Sequence, residues 1–278
     1  MKARSIGLAV VSLWSLSVSA TTINLSLGTA SVYTILGGTG VTNSGVTNIG
    51  GNVGVGPGGT VGGFPPGIVT GGGVLDGSDP FSMAAETQAV KDVTTAYNYA
   101  AKAACGTVIS TDLGGLTLTP GSYCFSSSAQ LTGKLTLDNQ GNPNAVFLFQ
   151  IGTTLTTAAG SSVVFVNGKG NIGSVFWQVG SSATIGSASE FAGNILAAAD
   201  ITLDAGATIL CGRALSEAGT ITMDTNDVND LVTKTCDASP IVPEPGTAGP
   251  LSLGLLFVGL ILYRQRGAKA RGLGLLSR

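Results

Sequence analysis

Five segments in the second half of this chain are copies of one another. GKLTLDNQG, TTLTTAAGSS, SATIGSASE, DITLDAGAT and GTITMDTND align on a central threonine at Thr136, Thr156, Thr184, Thr202 and Thr222, with spacings of 20, 28, 18 and 20 residues. FQIGTTLT, from Phe149, returns as WQVGSSAT, from Trp177, at the same 28-residue interval, and GNILAAADITL matches GRALSEAGTITM. A unit this short cannot enclose an apolar core alone, so its copies must stack, and stacked coils of short alternating strands make a β-solenoid. In VFLFQIG and ATIL every second side chain is apolar and points into a narrow interior. The 43 glycines would also suit disorder, but the regular spacing of Val, Ile, Leu and Phe argues against it.

One segment breaks the pattern. DPFSMAAETQAVKDVTTAYNYAAKAACG has Asp79 placed to cap a helix, Pro80 at the first helical position and Gly106 just beyond the end. The spacing predicts a helix over about 80–104. Ala85, Ala89, Val93, Ala96, Tyr97 and Ala100 form a stripe of mostly small residues that permits close packing. Such a helix is roughly 37 Å long, about the height of eight strands stacked 4.8 Å apart, and can lie along a solenoid.

Residues 1–20 carry Lys2 and Arg4, an apolar run and then Ser17, Ser19 and Ala20, which reads as a secretory signal peptide. At the other end, 241–278, a 16-residue apolar run from Ala248 to Tyr263 precedes Arg264, Arg266, Lys269 and Arg271. With Pro243, Glu244 and Pro245 ahead of it, this tail resembles the Pro-Glu-Pro carboxy-terminal sorting signal of exopolysaccharide-producing Gram-negative bacteria. That resemblance implies an exosortase-type processing enzyme as a partner. It also implies a location in the envelope or the extracellular polysaccharide matrix, tethered at least transiently by the hydrophobic helix. A plain membrane anchor is the other reading of the same residues.

The intervening domain, 21–240, holds six Lys and Arg against fourteen Asp and Glu, which disfavours nucleic acid as a partner. Four cysteines in an exported chain suggest two disulfides, and proximity favours Cys105 with Cys124 and Cys211 with Cys236. The chain has no His and no CxxC spacing, so neither a zinc site nor a Ser-His-Asp triad is expected. No cofactor and no metal are expected. The acids stand singly except in DTNDVND at 224–230, which reads either as a Ca²⁺ loop or as a polar cap on the last coil.

The order of parts resembles the bacterial and microalgal ice-binding proteins built on a discontinuous β-solenoid with one parallel α-helix. LGTASVYTILGGTGVTNSG, GNVGVGPGGTVGGFPPGIVTGG, AAETQAVKDVTTAYNYAA, LGGLTLTPGSYCFSSSAQLTGKLTLD, VFWQVGSSATIG and GNILAAADITLDAGATILCGRAL carry the likeness, across most of residues 27–228. The resemblance implies a mostly β fold, a right-handed discontinuous β-solenoid with one long α-helix packed alongside, and a flat face that adsorbs to an ice crystal surface. It also implies a face motif of Thr, then Ala or Gly, then any residue, then Thr or Asn. AGSS at 159–162, SASE at 187–190 and AGAT at 205–208 stand in that column, giving Ser161, Ser162, Ser187, Ser189, Ala205, Ala207 and Thr208 as face candidates. TGVT at 39–42 fits in full and adds Thr39 and Thr42, although it lies far away in sequence. Ala159 and Ala205 replace the first Thr, and Glu190 places a charge in the fourth position.

Threonine suits such a face on physical grounds, since its hydroxyl and methyl sit on a stiff β-branched stem with little freedom to lose on binding. Equally, the same Ser and Thr residues can serve corner turns, and outward Thr is common on any β-surface. Catalysis would need grouped acids and bases, so an enzyme is not expected. The competing expectation is a structural or adhesion protein of the polysaccharide matrix, with Trp177 or Tyr123 stacking on a sugar ring if exposed and in the core if not.

Overall fold

The computed structural model describes residues 23–75, 80–168 and 174–229. The leader at 1–20, the tail with Pro243, Glu244 and Pro245, and Cys236 lie outside these residues. Among the described residues, no helix is long and apolar enough to cross a membrane.

Every paired strand runs parallel to its neighbours, and the short strands belong to successive coils that each pass through three faces. The first face is a seven-stranded sheet in the order Ala129–Leu131, Leu155–Thr157, Ala183–Ile185, Ile201–Leu203, Thr220–Met223, Gly40–Asn43 and Thr60–Gly62. Inward from it point Leu155, Ile185, Ile201, Ile221 and Val41, all fully buried. The other two faces join as one fifteen-stranded sheet, because Glu190–Ala197 and Thr208–Ser216 turn a corner without breaking. They turn at Gly193 (φ 101°) and Cys211 (φ 49°), where the pairing register also shifts. A Cβ at Gly193 would lie 2.7 Å from the Val175 Cβ, so only glycine lets the backbone pass there.

Chain order and spatial order differ. The coils of 107–228 stack in sequence, and those of 33–75 are then added beyond the final one: Gly40–Asn43 pairs with Thr220–Met223, and Tyr33–Gly37 with Thr208–Ser216. The helix Pro80–Lys102 covers the return, its 23 residues spanning about 35 Å. It lies on the second face, where Leu36, Leu148, Phe176, Leu196 and Leu215 point outward and pack under Ala89, Val93, Ala96 and Ala100. Alternation in VFLFQIG therefore buries both sets, Phe147, Phe149 and Ile151 in the coil interior and Leu148 beneath the helix.

The helical stripe differs from the predicted one in the second turn of the helix: Ala85 is exposed and Glu86 is buried. The helix packs beside the 3-10 turn Gly28–Val32, and the hydroxyl of Tyr33, which follows that turn, is pushed up first by burial and then by the Glu86 charge. At the other end Gln150 Nε2 donates to the carbonyls of Ala100 and Ala103, both at 2.8 Å. These bonds satisfy acceptors that a helix terminus leaves open.

The interior carries an aromatic ladder. Tyr123 stacks on Phe149 at 5.5 Å, Phe149 lies 3.9 Å from Trp177 at an interplanar angle of 8°, and Phe191 follows at 4.9 Å. Trp177 is fully buried and donates from Nε1 to the Ala192 carbonyl at 3.0 Å. Stacking of Trp177 or Tyr123 on a sugar ring is therefore corrected: both rings belong to the core. DTNDVND does not cap a terminal coil either, since Asp227–Val228 lies between the strands Thr208–Ser216 and Asn48–Gly50 and is paired on both sides.

The disulfide Cys105–Cys124 closes a loop with a sequence separation of 19. It links the chain just after the helix to the strand Gly121–Phe125. Cys211 is also disulfide-bonded.

Candidate functional site

On the seven-stranded sheet the outward side chains fall into columns, because parallel pairing without slippage puts equivalent residues side by side. The central column runs Gln130, Thr156, Thr184, Thr202, Thr222, Thr42 and Gly62. Five threonines thus occupy consecutive strands at a pitch of about 4.8 Å. Thr42 Oγ1 donates to Thr222 Oγ1 at 3.4 Å across the junction between amino-terminal and carboxy-terminal coils. Two residues before each member of the central column, a flanking column runs Ser128, Thr154, Ser182 and Asp200, which immediately precede their strands, and then Thr220, Gly40 and Thr60, which are paired within the sheet. Where Gly40 has no side chain, the Thr39 hydroxyl lies 3.3 Å from that of Thr220. The result is a face dominated by hydroxyls and methyls, with Gln130 at one end and Asp200 in the flanking column.

The other sequence candidates sit elsewhere. Ser161 and Ser189 are buried at the corner beside this face; Ser189 Oγ donates to the Ala158 carbonyl at 2.9 Å and lies 3.2 Å from Ser161 Oγ. Ser187 is exposed at the Ser189 corner, and at the next corner Ala207 is fully buried while Ala205 is exposed. Ser162 and Thr208 lie on the third face, in a column that passes Lys134, Ser162, Glu190, Thr208 and Asp227. Of the sequence candidates, then, the sheet brings together Thr39 and Thr42 with the repeat threonines.

Thr136, aligned with those threonines in the sequence, is not among them: it pairs with Val164 and Thr117 on the third face. Its coil sends Gln130 to the central column instead, and SSAQLT at 127–132 is the true counterpart of SSATIG at 181–186.

Shifted titrations mark ties within the fold, not a reaction centre. Hydrogen bonds from the Thr29 hydroxyl and backbone hold Asp92 below the usual carboxylate range. Burial raises Asp112, but N–H groups of Thr132 and Gly114 outweigh it and leave the group lowered. Burial raises Glu217, opposed by the Thr94 hydroxyl. An open groove beside the helix end is lined by Tyr97, Cys105, Cys124, Gln150 and Gln178, and its amides already serve the protein: Gln150 caps the helix and Gln178 bonds the Tyr97 side chain. Among the described residues, no three of His, Cys, Asp and Glu gather as metal ligands.

A family model described as ice-binding-like matches residues 35–229. The chain belongs to the ice-binding-like family. It is 49% identical to an ice-binding protein of Nostoc sp. (strain HG1) over 268 residues, covering 94% of this chain and 95% of that one. An ice-binding protein of Flavobacterium frigoris (strain PS1) is 29% identical, with 76% and 79% covered. The crystal structure of an ice-binding protein from an Antarctic biological consortium superposes with a TM-score of 0.70 at 40% identity, over 79% of this chain and 96% of that one. The DUF3494 domain of a Shewanella frigidimarina ice-binding protein gives 0.66 at 28% identity, over 74% and 96%.

Within this ice-binding-like chain, the residues missed as site candidates are Thr156, Thr184, Thr202 and Thr222 with their neighbours Thr154, Ser182 and Thr220. The signal was present in the repeat alignment itself. It was outweighed by the motif that the family resemblance implies, which matched the corner segments equally well.

Proposed function

We propose that this protein binds ice by adsorption of the seven-stranded face, with Thr156, Thr184, Thr202, Thr222 and Thr42 at its centre. The carrying observation is that these five threonines stand in unbroken register on consecutive parallel strands, with no charged side chain in their column. Within a strand the next outward residue lies about 6.6 Å away, and the next strand about 4.8 Å away. Such a grid offers water a regular array of hydroxyls and methyls whose stems are already ordered, so adsorption costs little side-chain entropy. The third face mixes Lys134, Glu190 and Asp227 into its columns and suits a solvated surface better.

The test compares Thr184→Tyr with Thr208→Tyr in the purified protein. Tyrosine at position 184 should abolish thermal hysteresis and partition into a growing ice hemisphere, while tyrosine at 208 should leave both unchanged. The reverse pattern would move the site to the third face, and a wild type that stays in the liquid would sink the ice reading.

The supporting parts of the proposal concern export and tethering. The coil is right-handed, as in the β-solenoids that the sequence resembles. Residues 1–20 direct export, in keeping with a disulfide that needs an oxidising compartment. The Pro243, Glu244, Pro245 tail engages an exosortase-type enzyme and keeps the protein at the envelope or in the exopolysaccharide. Mass spectrometry of the mature ends checks this: cleavage near residue 20 and near Pro245 supports it, and an intact tail removes the processing step.

A further inference from the structure

In its two outward columns the threonine face carries one charged side chain, Asp200. It stands in the flanking column between Ser182 and Thr220, one strand from each, and is exposed. Its Oδ1 accepts the backbone N–H of Thr220 at 2.8 Å, so the carboxylate has a structural partner as well as a place on the surface. That N–H needs an acceptor, but the acceptor need not be ionised. A carboxylate orients its own water and gives it up at high cost, whereas the hydroxyls around it can exchange liquid water for lattice water at little cost.

Resting on the reading of this face as the ice site, we propose that Asp200 sets the strength of adsorption, holding the face below what its threonine grid would otherwise reach. The charge interrupts the flanking column at the middle of the sheet, two residues before Thr202 and immediately ahead of the strand Ile201–Leu203. Ice must either stop short of this point or carry a hydrated ion within its first layer. The remaining hydroxyls on either side, Thr154 and Ser182 on one and Thr220 and Thr60 on the other, then act as two patches and not one.

Asp200→Asn separates charge from structure, because its Oδ1 still accepts from Thr220 N–H. Thermal hysteresis and the fraction of protein taken into ice, at equal concentration, should rise severalfold in Asp200→Asn with the melting temperature kept. Asp200→Glu should stay at or below the wild type. Asp200→Ser, whose hydroxyl can also accept, decides the matter by the same readout if the asparagine variant folds poorly. Unchanged or lower activity in a folded neutral variant overturns the role of Asp200 while leaving the ice site intact. A wild type inactive alongside Thr184→Tyr overturns the ice site itself and this role with it.

Discussion

Ala188 holds a backbone conformation that its counterparts in the neighbouring corners leave to glycine. Three successive corners close with N–H to carbonyl bonds across four residues, Ser161 to Ala158, Ser189 to Gly186 and Ala207 to Asp204. Their third positions have φ 68° at Gly160, 54° at Ala188 and 73° at Gly206, the left-handed conformation in which glycine is unstrained. Relief of about 1–2 kcal/mol is offset by the greater freedom of glycine in the unfolded chain, so Ala188→Gly should stabilise by a net of roughly 0.5–1 kcal/mol. Thermal unfolding of the two proteins checks it, and a lower melting temperature contradicts it. These corners also show why AGSS, SASE and AGAT read as a surface motif. Small residues are required at the left-handed position and at the buried fourth one, occupied by Ser161, Ser189 and Ala207, so a turn and a flat hydroxyl face draw on the same alphabet. Composition cannot separate them, and strand register can.

At the scale of the element, the helix was the most legible part. Pro80 opens it as read, Lys102 closes it two residues before the expected end, and Ala89, Val93, Ala96 and Ala100 meet the sheet as the spacing implied. Glu86 was not legible, because the turn Gly28–Val32 that the helix packs against, and Tyr33 on which the Glu86 charge acts, come more than fifty residues earlier in sequence. The same turn gives the helix a tie sensitive to pH: Asp92 Oδ2 accepts from both the backbone N–H and the hydroxyl of Thr29, each at 2.7 Å. These bonds favour the carboxylate, so the folded group binds its proton less readily than the unfolded one. Between the two pKa values the unfolded chain holds more protons and stability climbs with pH. The contribution is present above the ordinary Asp range and lost as pH falls through the lowered value. Asp92→Asn should therefore melt lower than wild type at neutral pH, and the gap should close in acid below the ordinary Asp range. Melting temperatures across that range decide it, and a gap independent of pH would assign the loss to packing. Glu217, raised by burial, acts in the opposite sense, its ionisation opposing the fold as pH rises through its value.

For the whole molecule, the decisive event is the joining of distant segments. The solenoid itself was readable from repeat length and alternation, but the seat of the amino-terminal coils was not. Residues 33–75 lack the repeat's full pattern, and only pairing shows that Gly40–Asn43 continues Thr220–Met223. A buried polar chain holds the joint: Thr47 Oγ1 donates to Asn43 Oδ1 at 2.6 Å and accepts Asn226 N–H at 3.0 Å. Asn226 Nδ2 in turn donates to the carbonyls of Asp204 and Ala207 at 2.8 and 3.0 Å. Asn226→Ala strands those buried acceptors and should cost about 1–3 kcal/mol in denaturant unfolding. A loss within a few tenths of a kcal/mol would mean that water replaces the amide.

The joint also extends the threonine face. Thr42 stands 180 residues from Thr222 in sequence, yet their hydroxyls meet at 3.4 Å, and through it the threonine column gains its fifth rank. If adsorption depends on an unbroken flat area, a bulky side chain at this rank must lift ice from the face as effectively as one in the middle of the repeats. Thr42→Tyr should accordingly lose hysteresis to the same extent as Thr202→Tyr, with the melting temperature of both near that of the wild type, since both positions point outward. Retained activity in Thr42→Tyr, against loss in Thr202→Tyr, would confine the binding area to the sequential coils. The amino-terminal segment would then serve only to close the end of the core.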